Sequence, residues 1–305
     1  MFSHLSFAGK MALLLGLLVS FLLFSTLLGL LLLVPLAGPG AMNIMISPDF
    51  NDPVVVSGLK IVQITNMAFG LLLPSLLYLY MTQPRPLDAM SNRISRPAFI
   101  FLITSLFMLS AQPVISLFNE WNSRMILPES LSGLENWMKS SEDQAGKITE
   151  AFLSTSSWSG FLVNTFMIAL LPAFSEELLF RGILAKLLRD WTRNIHIGVI
   201  LSALVFAGIH LQFYGFLPRF MLGVAFGYLF FRTGTLWVPI IAHFVNNFLS
   251  VLIEFLYRKG LVSVNADQFG MSDNPLWLIA GLVLTGCSLY LLLGNSSLRL
   301  KKEKS

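Results

Sequence analysis

The chain has 305 residues, 55% of them hydrophobic and only 12% charged, with a mean hydropathy of +0.73. Soluble domains carry about a quarter charged residues, so half that share cannot cover a water-facing surface and a soluble globular class is excluded. The net charge of +4 does not indicate nucleic acid either, because the basic residues sit at the ends of apolar segments and form no stripe interleaved with base-stacking aromatics.

A hydrocarbon core of about 30 Å takes roughly 20 apolar residues in helix. On that measure the sequence predicts an all-α, polytopic membrane helix bundle of about eight transmembrane helices. They fall at 11–37, 57–81, 97–119, 157–188, 197–213, 217–232, 236–257 and 276–294. The first apolar stretch is well beyond the roughly 7–15 residues of a signal-peptide core, which makes it a retained span. With a cytoplasmic N-terminus and eight crossings, the inside segments hold Lys10, Arg85, Arg93, Arg96, Lys186, Arg189, Arg193, Arg232, Arg299, Lys301, Lys302 and Lys304. The outside segments hold Arg124, Lys139, Lys147, Arg219, Arg258 and Lys259, with Lys60 near the outer boundary. Lys and Arg favour the inside by about two to one, which predicts both termini on the cytoplasmic side.

Between the third and fourth spans, segment 120–156 carries Glu120, Glu129, Glu135, Glu142, Asp143 and Glu150 against Arg124, Lys139 and Lys147. An acidic extracytoplasmic piece fits that topology. Ile126, Leu127, Leu131, Leu134, Trp137 and Met138 predict a short amphipathic helix resting at the interface. A disordered linker is the competing reading of so polar a stretch.

The fourth span turns polar at its far end, through Pro172, Glu176, Glu177 and Arg181. Glu177 and Arg181 stand i,i+4 with the acid first, the favourable order for a helical ion pair. Glu176 is turned about 100° away. Two carboxylates against one guanidinium leave a negative charge that needs a further partner, a proton or a cation. Pro172 deletes a backbone hydrogen bond one turn earlier and predicts a kink. The fifth span places Phe206 and His210 on one face, and the seventh does the same for His243 and Asn247. Each feature also has an ordinary explanation: a solvated helix end, a hydrogen-bonded core histidine, an asparagine joining helices. The single cysteine, Cys287, lies in the last apolar segment and reads as a packing residue.

Taken together the polar residues say more. An ionisable side chain at mid-bilayer costs at least about 2.5–3.5 kcal/mol. At 1.5 Å per residue, His243 lies on the order of 10 Å from the cytoplasmic start of its span and His210 roughly 20 Å from the same side. Acid, imidazoles and amide from three helices are therefore expected to converge on one hydrated cavity.

Glu-Glu-x-x-x-Arg, then Phe-x-x-x-His, then His-x-x-x-Asn, on successive membrane helices, resembles the CPBP family. These are the intramembrane peptidases that include the CAAX prenyl proteases and the Abi, bacteriocin-processing proteins. The motif residues are Glu176, Glu177 and Arg181; Phe206 and His210; His243 and Asn247. The resemblance covers about 155–255. It divides the chain into N-terminal helices with the acidic segment (1–156), catalytic helices (157–257) and a last helix with a basic cytoplasmic tail (258–305).

The resemblance implies endopeptidase cleavage of a membrane-associated, possibly lipidated, protein or peptide. Glu176 would be the general base and His210 would orient the water. His243 and Asn247 would donate to the tetrahedral oxyanion, with Glu177, Arg181 and Phe206 in support. No cofactor is expected, because no His-Glu-x-x-His pattern is present. If zinc is used, Glu176, His210 and His243 are the ligands the sequence offers. A proton- or ion-coupled transporter, or a non-catalytic immunity or scaffold protein on the same fold, are the competing readings. A transporter would more often show repeated halves, and none is visible.

Overall fold

Local signals set where the helices begin. Ser6 accepts from the Gly9 amide and caps α1, Phe7–Ala37. Asp52 does the same for Val54 at the start of α2, Pro53–Thr82, whose first position is a proline with no amide to satisfy. These are followed by α3, Pro97–Ser123, and α4, Ser132–Leu153. Ser157 caps α5, Trp158–Thr192, by accepting from Gly160, and Asn194 caps α6, Ile195–Gly208, by accepting from His196 and Ile197. The remaining long helices are α7, Phe216–Thr233, α8, Trp237–Arg258, and α9, Pro275–Gly294.

This computed structural model describes residues 2–84, 96–272 and 274–294. Arg85, Arg93, Arg299, Lys301, Lys302 and Lys304, and with them the basic tail, lie outside the described residues. Among those described there is no strand, and the protein is an all-α polytopic membrane bundle. Among the described residues, seven helices are long and apolar enough to cross a membrane.

The predicted fifth span differs. Helix α6 has 14 residues, about 21 Å, and stops short of crossing on its own. Expected to continue to 213, it ends at Gly208, and Leu211 adopts a left-handed φ of 52°. His210 therefore sits in the turn beyond the helix rather than inside it. A tight loop returns the chain into α7, so α6 and α7 form a hairpin. Their approach requires glycine: a Cβ on Gly223 would lie 2.9 Å from that of Ala203, and one on Gly227 2.8 Å from Val199.

The segment 120–156 also departs from expectation. Its helix runs over Ser132–Leu153, leaving Ile126 and Leu127 outside it, and does more than rest at an interface. A second apolar stripe, Ala145, Ile148 and Phe152, turns inward over a cavity. That stripe follows helical spacing and escaped notice beside six acidic residues. Cys287 is exposed on α9 rather than packed.

Helix α5 is the centre of the bundle. Its Leu178, Phe180 and Ile183 are buried with Tyr78 of α2, Phe206 of α6, Phe230 of α7 and Ile240 of α8. It widens into π-helical turns at Thr165–Leu170 and Leu178–Leu184, and α2 does so at Asn66–Leu72. Pro172 and Pro74 each follow such a turn, since a residue without an amide breaks the α-helical ladder and the backbone re-registers around the gap.

Candidate active site

The two adjacent glutamates have opposite fates. Glu177 is fully buried; its Oε1 accepts from Arg181 Nη1 at 2.7 Å and from His243 Nδ1 at 2.8 Å. Arg181 Nη2 donates to the Gly223 carbonyl at 3.0 Å. The guanidinium carbon lies 4.8 Å from the Phe206 ring centre and 5.4 Å from that of Phe226, so cation–π contacts replace lost hydration. Glu176, one residue earlier on the helix, faces the cavity instead.

His243 bridges the two acids. With Nδ1 on Glu177, its Nε2 stands 3.8 Å from Glu176 Oε2. The further partner that the two carboxylates required is this imidazole. The Phe226 ring lies 5.7 Å from the imidazole and that of Phe206 6.1 Å away.

His210 is oriented by its own chain. Its Nδ1 lies 2.7 Å from the Phe206 carbonyl. A carbonyl only accepts, so Nδ1 holds a proton and the neutral ring keeps its lone pair on Nε2. The Phe206 ring packs edge-on to the imidazole at 5.1 Å. Phe206 thus touches Arg181, His210 and His243 together.

Asn247 compensates for a proline. Pro172 has no amide to offer Ile168, four residues earlier, and Asn247 Nδ2 donates to that carbonyl at 3.0 Å. Asn246 Nδ2 in turn donates to Asn247 Oδ1 at 3.2 Å. These two bonds fix the amide plane of Asn247 and leave its second N–H unused.

Glu176, Phe206, His210, His243 and Asn247 line one cavity of about 590 Å³. Glu177 and Arg181 lie behind its wall. The floor and sides include Met67, Met167, Leu222 and Phe226, and the stripe of α4 forms the roof. Asn164 anchors the end of that roof by donating to the Phe152 carbonyl at 2.6 Å, while Lys60 donates to Asn164 at 2.8 Å. Lys60, counted as an outer boundary charge, is thus half-buried and tied to the end of α4 through Asn164.

Sequence reasoning missed Gln63, Gln212, Arg219, Asn246 and the α4 stripe, all of which line the same cavity. Asn246 lies beside a motif residue and was passed over for want of a partner one turn away. Arg219 was read only as an outside charge. Neither had a local pattern to mark it.

A zinc site would need three donors close together. Glu176 and His243 approach each other, yet among the described residues no three of His, Cys, Asp and Glu lie close enough to hold a metal ion. As placed, the donor set does not fit.

Comparison with known proteins meets the chain at these helices. Residues 158–249 match the family described as Type II CAAX prenyl endopeptidase Rce1-like. "Uncharacterized protein YpbD" of Bacillus subtilis is 31% identical over 113 residues, covering 36% of this chain and 53% of that protein. "Putative membrane peptidase YdiL" of the same organism is 33% identical over 103 residues, covering 34% of this chain and 42% of that protein. The chain thus spans about half the length of the curated relatives it matches. No solved structure matches. The matched residues contain all three motifs and the helices that carry the buried charges, and over them the chain is similar to the CPBP, or CAAX protease, family.

Proposed function

We propose that this chain is an intramembrane endopeptidase that hydrolyses a peptide bond of a membrane-associated substrate, with water activated by Glu176. The observation that carries this reading is the shared cavity: Glu176, His210, His243 and Asn247 reach it from three different segments of the fold. Glu176 takes a proton from water as the oxygen attacks the peptide carbonyl. His210 Nε2 accepts the water's other hydrogen and sets its direction. The oxyanion is met by His243 Nε2–H and the free N–H of Asn247, each such donor being worth about 3–4 kcal/mol in a water-poor site. Glu176 then returns its proton to the leaving nitrogen. Glu177 holds His243 through Nδ1, so that Nε2 is the nitrogen presented to substrate. Both termini are assigned to the cytoplasmic side on the distribution of Lys and Arg, which puts α4 at the outer mouth of the cavity.

The test is cleavage by purified protein of a panel of lipidated and unlipidated peptides. Glu176→Gln, His210→Ala and His243→Ala should each lose activity by about a hundredfold or more while remaining folded. Full activity in Glu176→Gln would end the assignment. Activity should survive chelation, with no stoichiometric metal in the active protein. A chelator-sensitive enzyme restored by zinc would move Glu176, His210 and His243 to the role of ligands.

A further inference from the structure

Arg219 stands in the cavity wall one turn into α7, and the chemistry above leaves it unused. Its guanidinium is fixed by one residue: Nη1 donates to the Gln212 carbonyl at 3.2 Å and Nη2 to Gln212 Oε1 at 2.5 Å. A guanidinium has five N–H donors, and among the described residues no other acceptor takes those that remain. Arg124, Arg181, Arg189 and Arg258 each form an ion pair with a carboxylate, whereas no described carboxylate comes within ion-pair distance of Arg219.

The turn before α7 is shaped around this group. A Cβ on Gly215 would lie 2.5 Å from Arg219 Nη1 and 3.1 Å from its Cζ, so the guanidinium rests against bare backbone. The Gly215 φ of −112° suits any residue, so a side chain there would displace the Arg219 tip rather than strain the backbone. On the same turn the Tyr214 amide donates to Glu142 Oε2 of α4 at 3.2 Å. That bond brings Glu142 of the roof helix to the turn that holds Arg219.

We propose that Arg219, held by Gln212 and Gly215, is a carboxylate subsite of the cavity that takes a free C-terminal carboxylate or an acidic side chain of the bound peptide. Glu142 is its resident counter-charge, brought by the roof helix and displaced when substrate enters. A planar fork with donors to spare matches a carboxylate two-on-two. A single guanidinium flanked by Glu142 and Glu176 is poorly suited to a phosphate of higher charge. The inference rests on the peptidase reading, because it assigns specificity within that cavity.

Binding to the Glu176→Gln protein separates the two questions, since no turnover is needed. The probes are short apolar fluorescent peptides in matched forms: free C-terminal acid, C-terminal amide, and amide with one interior Asp or its Asn counterpart. The acid or the Asp form should bind about tenfold tighter than its neutral partner, and which of the two does so identifies the source of the carboxylate. Arg219→Gln should abolish the preference. Gly215→Ala should abolish it too, while keeping the charge, and Glu142→Gln should strengthen binding of the acidic form. Equal binding of charged and neutral forms, no binding of any form, or a preference that survives Arg219→Gln overturns the subsite. An Arg219-dependent preference in a protein whose wild type cleaves no peptide refutes the peptidase and leaves the subsite standing.

Discussion

The cavity wall and the sealed cluster behind it are built from neighbouring residues yet obey different physics. In the cluster, Glu177 Oε1 accepts from both Arg181 and His243 at 2.7–2.8 Å, away from water and under two phenylalanine rings, while its buried Oε2 finds no partner among the described residues. On the wall, Glu176 and His210 have no charged partner at hydrogen-bond distance among the described residues and face the cavity. One step along a helix separates a group whose loss should damage the fold from one whose loss should damage chemistry. His243 belongs to both, anchored through Nδ1 and exposed to the cavity through Nε2.

The sharpest way to break this contrast is Arg181→Ala. It leaves the buried Glu177 carboxylate with His243 as its one described partner, which should cost about 3–5 kcal/mol of stability, read by unfolding in detergent. A loss below about 1 kcal/mol would mean that the cluster is not structural. Next comes Glu176→Gln on the other side of the wall. The expected hundredfold loss of cleavage corresponds to about 2.7 kcal/mol of transition-state stabilisation, with thermal stability unchanged or slightly raised, as when an unpaired active-site charge is removed. A marked fall in stability would place Glu176 with the cluster. Asn247→Ala probes the border: the stranded Ile168 carbonyl should cost about 1–3 kcal/mol, and turnover should fall at least tenfold once stability is matched. Loss of stability alone would reduce Asn247 to interhelical glue. Phe226→Leu removes one aromatic face from Arg181 and should cost about 1 kcal/mol with little change in turnover.

Much of the fold was legible because its signals are local. Apolar lengths marked the helices, and the Glu177–Arg181 pair followed from i,i+4 spacing alone. The early end of α6 was not, since it depends on Leu211 adopting a left-handed conformation that an apolar run does not announce. The inward stripe of α4 was hidden for a related reason. Whether Ala145, Ile148 and Phe152 face a bilayer surface or a cavity depends on helices far away in sequence.

By itself the sequence determined a polytopic helical membrane protein with acid, imidazole and amide on helices that could meet. Tertiary structure alone decided that His243 stands between the two glutamates, that Asn247 answers the carbonyl released by Pro172, and that Arg219 enters the cavity with no described carboxylate at ion-pair distance. Spacing along a helix specifies which side chains share a face. What that face meets is fixed by packing between segments that the chain brings together only on folding.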